Sequence, residues 1–392
     1  MNIQKYLEQL KETQENLIEY IENESDKDEN YFSLLSSLEN QQVLSNKYEF
    51  KLFLHLILEM FSNHNRGTSI YNKLVRVLSH LKDKIQQTLK NQEIYDFFKS
   101  NKLIIIALLD ENILTIDEEL FNVFFKGDIR LFFPKIKKFL TQEVFETISE
   151  GFQDNYETEK KIGENNNYIC KLIRQDSIDE FVKYVNQTNY QLSSKIEPSF
   201  FETNSFLIQN QPSLIEYSAF FGSIQIFQYL RLNNVKLSPS LWLYAIHGNN
   251  PEMIHLLENS QVEPDDKSFH ECLKEAIKCH HNDIALYILN NYFQDEQKGS
   301  LLVNHYAIKY RNFGLIDENI NQRSFIDLVK YDYYTLVSLI LNIKKIDINE
   351  TIKILTHNCF EIKFYLLFEM KFQIKHFNKI QINYKWCSNS FF

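Results

Sequence analysis

The sequence predicts an all-α fold built from stacked helical hairpins, and three observations support this. One pattern of small, apolar and turn residues occurs twice within residues 212–257. Each copy has an alanine where two helices would touch (Ala219, Ala245), a glycine three residues later and then an apolar stripe. Glycine (8) and proline (6) are scarce among 392 residues, which disfavours a β-rich chain with many tight turns.

Composition and net charge disfavour several kinds of partner and cellular location. Lys and Arg number 42 against 52 for Asp and Glu, so the net charge of −10 would repel a phosphate backbone, and no nucleic-acid partner is expected. Apolar runs such as residues 103–109 are far shorter than the roughly 20 residues that span a bilayer, and no secretory signal is evident. The five cysteines are an odd number and are scattered along the chain, which is typical of reduced intracellular thiols. We expect a cytoplasmic protein, with the nucleus as an alternative, and no membrane contact.

Residues 1–93 are predicted to form a helical N-terminal domain. Apolar residues recur at helical spacing from Ile3 to Ile21, and an acidic loop follows at residues 22–30. Residues 50–61 are nearly all apolar and too long for a strand, so they predict a buried helix. Residues 70–89 resume helical spacing.

Residues 94–165 are predicted to be helical hairpins that join this domain to the array. Thr115 with Glu118 three residues on predicts a helix cap. Pro134 predicts another helix start, because proline is tolerated in a first turn. The polar residues 151–167 predict a junction or flexible insertion.

Residues 166–370 are predicted to form the hairpin array, and residues 371–392 a C-terminal cap or tail. Further copies of the unit are expected at residues 169–185, 270–289 and 325–349, with degraded copies at 307–313 and 351–367. The offset between copies is 26 residues from Ala219 to Ala245 and 31 from Ala245 to Ala276.

The units resemble ankyrin repeats in their paired small residues, their glycine turns and the closing run at residues 346–349. They depart from the ankyrin pattern where Glu216, Trp242 and Leu273 replace the opening histidine that bridges neighbouring turns. From Gly248 onward the copies also carry one extra residue before the apolar pair. Residues 177–289 are similar to a large family of divergent protist ankyrin proteins with an uncharacterised helical N-terminal domain.

This resemblance implies an ankyrin-type solenoid that binds a protein partner of unknown identity on its concave face. It implies no cofactor and no small-molecule substrate. Expected partner-binding positions lie on first helices and hairpin tips: Glu216, Lys236, Trp242, Glu263, Asp265 and Asp347. Trp242 has an alternative interpretation, in which it fills the space left by the missing histidine.

Possible metal and catalytic groups concentrate around the third copy. His270, Cys272, Cys279, His280 and His281 lie close in sequence, with His247 and His255 one repeat earlier. The two cysteines fall on packing and turn positions and lack the paired spacing of zinc sites, so a structural role is favoured. Cys279 and His280 are adjacent at a helix end and would not face each other, which disfavours a nucleophile and base.

Two alternatives remain open. The first concerns residues 371–385, which are basic and aromatic and are typical of either a nucleic-acid surface or a capping helix with a solvated face. The second is a hydrolase or transferase with an unrecognised site between the N-terminal domain and the first repeats. No nucleophile, metal or phosphate motif supports that enzyme.

Overall fold

The computed structural model describes residues 2–23, 28–63, 69–149, 155–343 and 346. Every regular element in these ranges is helical, and the isolated β-bridge there joins Lys195 to Ser213. The predicted all-α class is therefore confirmed. No helix in the described ranges is long and apolar enough to cross a bilayer. Asp347, the copy expected at 351–367 and the 371–392 tail lie outside the described residues.

The described residues before position 165 fold into short and medium helices, with a 3-10 turn at Lys137–Phe139. These helices are α1 (Ile3–Glu22), α2 (Asp28–Asn40), α3 (Lys47–Asn63), α4 (Ile70–Thr88), α5 (Asn91–Phe98), α6 (Lys102–Asp110), α7 (Glu118–Lys126), α8 (Ile129–Ile136), α9 (Gln142–Ser149) and α10 (Tyr156–Ile162).

Helical spacing predicted α1, α3 and α4 well, but three local predictions need correction. Asp117, not Thr115, caps α7, because its carboxylate accepts the Leu120 backbone N–H at 3.0 Å. Pro134 lies inside α8 near its end and not in its first turn, and it lacks the N–H that would bond to the Arg130 carbonyl. The expected junction at 151–167 contains α10, whose Tyr156 packs into the N-terminal core.

The remaining described residues form helices that follow one another mostly in pairs, with a 3-10 turn at Phe313–Leu315. They are α11 (Tyr168–Arg174), α12 (Ile178–Thr188), α13 (Ser205–Asn210), α14 (Leu214–Phe220), α15 (Ile224–Leu232), α16 (Leu241–His247), α17 (Pro251–Asn259), α18 (His270–Lys278), α19 (Asn282–Tyr292), α20 (Glu296–Lys309), α21 (Gln322–Lys330) and α22 (Tyr334–Ile343).

Each hairpin consists of a first helix and a second helix that pack together. The pairs are α11 with α12, α14 with α15, α16 with α17, α18 with α19 and α21 with α22, while α20 pairs with the 3-10 turn at Phe313–Leu315. The first helices also contact one another in chain order, from α11 through α14, α16, α18 and α20 to α21. Successive hairpins therefore pack side by side on their first helices.

The turn inside each hairpin corrects the alignment of the copies. One residue in each turn has a left-handed backbone: Asp176, Gly222, Asn249, His280, Arg311 and Asp332. The offset from residue 222 to 249 is 27, so the offset of 26 inferred from the alanines is wrong by one. Ser218 is thus the counterpart of Ala245. The extra residue attributed to the later copies disappears, because asparagine at 249 tolerates the left-handed backbone that glycine adopts at 222.

In four hairpins the residue after the left-handed position connects neighbouring hairpins. Its side chain donates a hydrogen bond to the backbone carbonyl three residues before the left-handed residue of the preceding hairpin, whereas Asn250 instead donates to the Gly222 carbonyl at 3.5 Å. The four bonds are Ser223 Oγ to Ile173 O (2.5 Å), His281 Nδ1 to Ile246 O (2.8 Å), Asn312 Nδ2 to Ile277 O (3.0 Å) and Tyr333 OH to Ile308 O (2.9 Å). Bonds between hairpins are therefore present without the ankyrin histidine, at a different position.

The buried hydrophobic residues of the described ranges form two clusters. One cluster spans the hairpins from Ile169 to Ala307. The other contains the N-terminal helices together with the last hairpin, including Leu336 of α22. Buried Gln14 of α1 accepts the Phe313 backbone N–H at 2.5 Å, and the rings of Tyr48 and Tyr334 stack with centroids 3.7 Å apart. The N-terminal helices thus cover the far end of the hairpin array.

Candidate functional site

The face formed by the first helices α14, α16, α18, α20 and α21, here called the first-helix face, is where the resemblance places a partner. Over α14 and α16 it offers little surface. Phe206 of α13 packs there against Tyr244 and His247, with ring centroids 5.0 Å and 4.2 Å away. In these two helices every residue except Glu216 and Leu243 is buried.

A polar cluster lies beneath this cover. His247 Nε2 is 2.7 Å from a carboxylate oxygen of Glu275, and Lys278 Nζ is 2.8 Å from the same oxygen. The Cys279 sulfur is 3.4 Å and 3.9 Å from the two ring nitrogens of His247. The sulfur thus lies beside the imidazole ring, within hydrogen-bond distance of Nδ1. Asn63, the last residue of α3, also contacts His247 through its backbone.

Burial determines the protonation of this cluster. It lowers the pKa of His247 and raises that of Cys279 well above its usual value, so both are neutral near pH 7. Burial would also raise the pKa of Glu275, but its bonds to His247 and Lys278 lower it to about 2. A neutral thiol over a neutral imidazole is not an activated nucleophile.

The cluster is also a poor cation site. His247, Glu275 and Cys279 offer three donor atoms within 4.8 Å of one another. However, the Lys278 ammonium already binds the carboxylate and would repel a metal ion. The cluster is better suited to joining α16 to α18. Sequence reasoning had noted His247 and Cys279 but missed Glu275, which lies one helical turn before Cys279.

The other candidate ligands do not converge. His270 stacks on Phe293 with centroids 5.2 Å apart, and His280 Nε2 lies 3.0 Å from the Tyr310 carbonyl oxygen. His281 makes the bond between hairpins described above. Cys272 is buried, and burial raises its pKa above the usual range. These side chains serve packing and turns, as the spacing of the cysteines suggested.

Trp242 does not form an exposed anchor. Its side chain is 1% exposed, its Nε1 donates to the Val262 carbonyl at 2.6 Å, and its ring meets Phe269 edge-on at 5.0 Å. The residue fixes its own hairpin's closing loop to the first helix. Trp242 thus has the packing role that the sequence favoured and not that of an exposed partner-binding residue, because an indole on this side of α16 faces the loop at 260–269.

Glu216 is engaged within the fold. Its carboxylate caps α14 by accepting the Ser213 N–H at 2.8 Å, and it accepts hydroxyl bonds from Ser238 (3.0 Å) and Ser240 (2.5 Å). Burial raises its pKa, but these donors together lower it below its usual value. Glu216 therefore joins α14 to the next hairpin, a role that its position in a capping box partly signals.

The remaining expected positions lie at the surface where they are described. Lys236, Glu263 and Asp265 are exposed on the loops that connect consecutive hairpins. Lys267 pairs with Glu263 at 3.4 Å, and both are highly exposed. These three residues are available to a partner, whereas Asp347 lies outside the described residues.

The uncovered part of the first-helix face carries a row of lysines that sequence reasoning missed. Lys278, Lys309 and Lys330 each lie two residues before the left-handed turn residue, in the last turns of α18, α20 and α21. In the sequence, 31 residues separate Lys278 from Lys309 and 21 separate Lys309 from Lys330. The row became visible only after the turn residues had been aligned.

A cavity of about 300 Å³ lies where the alternative enzyme site was expected, between the N-terminal helices and the first hairpins. Its lining includes Lys102 and Asp128, which pair at 2.5 Å, and Glu202, which accepts the Asn165 N–H at 3.2 Å. The lining residues contain no cysteine or histidine. They offer no nucleophile paired with a base.

Comparison with known proteins identifies one region. No curated protein and no solved structure matches the chain. Residues 232–316 match a family model, and this segment runs from the end of α15 to just beyond the 3-10 turn at Phe313–Leu315. It contains the His247 cluster, Lys278 and Lys309. The family that this segment is similar to is described as a domain of unknown function (DUF3447).

Proposed function

We propose that this protein is a non-catalytic scaffold that binds a protein partner on an ankyrin-type solenoid of helical hairpins. The observation that carries the proposal is the chain-order contact of the first helices, joined by one repeated hydrogen bond. Hairpins that pack chiefly on their neighbours form an extended surface suited to binding a polypeptide.

The partner surface is narrower than the whole first-helix face. Phe206 covers α14 and α16, so we place binding on α18, α20 and α21 and on the exposed loops at Lys236, Glu263 and Asp265. Leu301 of α20 is 37% exposed on this uncovered part. The N-terminal helices act as a cap on the last hairpin.

Chemistry in the described residues favours a scaffold over an enzyme. Burial keeps Cys279 and Cys272 as thiols, and it raises the pKa of Cys170 to about 12. These buried, unpaired thiols also fit a protein of the cytoplasm or nucleus, where cysteines stay reduced. The polar clusters serve helix ends and contacts between hairpins.

Site-specific photocrosslinking tests the proposal in the full chain. A photoreactive phenylalanine analogue replaces Leu301 on α20 or, as a matched control, Leu286 on the second helix α19, which is 43% exposed. We expect a partner in an extract of the expressing cells to crosslink at position 301 and not at 286. Excess unlabelled protein should abolish that product.

Two results would contradict the proposed function. Equal crosslinking at both positions would indicate non-specific contact. A partner captured only at position 286 would place binding on the second helices instead of the first.

A further inference from the structure

The lysine row has a regular geometry. Lys278, Lys309 and Lys330 occupy one register position on three first helices, and α20 contacts both α18 and α21. Packed helices lie about 8–10 Å apart. The three lysine residues therefore recur at roughly that interval across the face.

Most carboxylates near this row are paired with other groups, while Glu59 of α3 attracts Lys278, Lys309 and Arg311 from a greater distance. Glu275 binds Lys278 at 2.8 Å, Glu271 binds Lys274 at 2.6 Å, and Asp327 lies 2.7 Å from His305 Nδ1. Lys309, in the middle of the row, takes part in none of these contacts. Among the described residues no carboxylate lies within 4.0 Å of its ammonium group.

Lys309 is surrounded by other positive charges. Partial burial lowers its pKa, and the nearby Lys274 and Lys330 lower it further. Glu271 and Glu59 act in the opposite direction but do not outweigh them. The free protein thus holds a partly buried cation beside two like charges, an arrangement that an anion would relieve.

Helix dipoles account for part of this pattern. A lysine in the last turn of a helix interacts favourably with the helix's negative end. That explanation does not extend to Arg311, which is 6% exposed and has a buried Nε without a hydrogen-bond partner. Its guanidinium contacts are long, at 3.4 Å to the Lys309 and Tyr331 carbonyls and 3.9 Å to Glu59. Arg311 Nε is therefore a buried donor at this site that the described fold leaves unpaired.

Aromatic rings border the same row. Lys309 Nζ lies 5.0 Å from the ring centroid of Tyr310, and Lys330 Nζ lies 5.3 Å from that of Tyr331. Tyr306, one helical turn before Tyr310, lies 6.4 Å from its ring. These partly exposed rings provide flat apolar area between the charges, where a peptide backbone could pack.

Resting on the proposed protein-binding function, we propose that the lysine row binds an extended acidic segment of the partner, with a carboxylate at every third residue. In the polyproline II conformation a chain rises about 3.1 Å per residue with three residues per turn, so every third side chain lies on the same side at intervals of about 9 Å, which matches the helix spacing. Each carboxylate meets one ammonium group, and Lys309 binds the central one.

The test uses two fluorescein-labelled heptapeptides of equal composition. One is Glu-Ser-Ser-Glu-Ser-Ser-Glu, and the other is Glu-Glu-Glu-Ser-Ser-Ser-Ser. Fluorescence anisotropy with the full chain should give tighter binding of the spaced peptide, weakened by added salt. The protein's net charge of −10 repels both peptides equally, so a difference between them reports the local site.

Variants assign the binding to the row. Lys309→Met should weaken binding of the spaced peptide about fivefold, the effect of losing one ion pair. Lys309→Arg keeps the charge and should retain most of the affinity. Lys236→Met, at an exposed hairpin tip, is the matched control and should have no effect. Thermal unfolding of each variant checks that it is folded.

Several outcomes would overturn the inference. They are equal binding of the two peptides, no binding of either, equal weakening by Lys236→Met, and tighter binding of oligothymidylate than of the spaced peptide. If the peptides fail while crosslinking at position 301 succeeds, the acidic-segment inference is wrong and the scaffold proposal stands. If crosslinking at 301 also fails, both are wrong.

Discussion

At the scale of single residues, the position after the left-handed turn residue makes the same bond in four hairpins with different side chains. Serine, histidine, asparagine and tyrosine at 223, 281, 312 and 333 all donate to the carbonyl of an isoleucine in the preceding hairpin. The position requires a donor that reaches the carbonyl rather than a particular residue type. This explains how hairpins of such different sequence share one packing arrangement.

Asn312 provides a test of this bond. Its side chain is buried and donates to Ile277 O at 3.0 Å and to Asn282 Oδ1 at 2.7 Å. We expect Asn312→Ala to lower the free energy of unfolding by about 1–3 kcal/mol in urea titrations, because a buried carbonyl loses its donor. Asn291→Ala is the control, since Asn291 is exposed and bonds only within its own helix. A similar loss in both variants would contradict the prediction.

His247 predicts a pH dependence of stability. Burial lowers its pKa in the folded protein, so below about pH 6.5 the unfolded chain holds more protons at this residue. The free energy of unfolding should therefore fall by up to about 2 kcal/mol from pH 7 to pH 5. Glu275, with a pKa of about 2, contributes stability that is lost only below about pH 4.5. The two contributions occupy separate pH ranges.

Denaturant titrations from pH 5 to 8 measure this effect as a slope. His247→Gln should flatten the slope even where it lowers stability overall. His255→Gln should leave the slope unchanged, because the His255 side chain is largely exposed. A wild-type slope that persists in His247→Gln would assign the pH dependence to other groups.

At the scale of helices, the approach of α14 and α16 depends on Gly248. A Cβ atom added there would lie 2.8 Å from the Ala219 carbonyl oxygen and 3.0 Å from that of Phe220. Both obstacles are backbone atoms, which cannot rotate away. Gly248 is thus a glycine of close packing, while the left-handed turn position is the next residue, Asn249.

Gly248→Ala should separate these two helices. We expect a loss of about 1–3 kcal/mol in the free energy of unfolding, typical of overpacking against a rigid neighbour. Gly127→Ala is the comparison, since the nearest atom to its Cβ is the Val123 carbonyl oxygen of its own helix at 3.3 Å. It should lose less than about 1 kcal/mol. Equal losses would mean that the α14 carbonyls are not the obstacle.

At the scale of the whole molecule, the N-terminal helices and the last hairpin share one core. The chain therefore brings its first described helix against its last one, since α1 and α3 both contact α22. The hairpins in between have a second core of their own. Disturbance of the last hairpin should thus reach α1, although more than 300 residues separate them in sequence.

Two matched substitutions test this closure. Leu336→Ala and Leu230→Ala each remove a fully buried leucine, one from each core, and should cost about 2–5 kcal/mol. In hydrogen–deuterium exchange, Leu336→Ala should increase exchange in α1 and α3. Leu230→Ala should increase exchange in α14 to α17 first. Unchanged exchange in α1 of Leu336→Ala would show that the N-terminal helices are stable without the last hairpin.

The sequence predicted the candidate site only in part. Sequence analysis singled out His247, Cys279 and the exposed loop with Lys236, but it also named Trp242 as an expected partner-binding position beside its favoured packing role. The type of a side chain does not show whether another part of the chain packs over it, as Phe206 of α13 packs over His247 of α16. The lysine row was missed because its central helix, α20, was expected only as a degraded copy at residues 307–313 and was not aligned with the other hairpins.

The sequence by itself determined the all-α class, most of the helices and the existence of repeated hairpins. Those features follow from local spacing, caps and turn residues, which act over a few positions. Only the tertiary structure decided the register of the copies, the covering of α14 and α16, and the joining of α1 to the last hairpin. These depend on contacts between residues far apart in the chain, such as Gln14 with Phe313, and no local pattern encodes them.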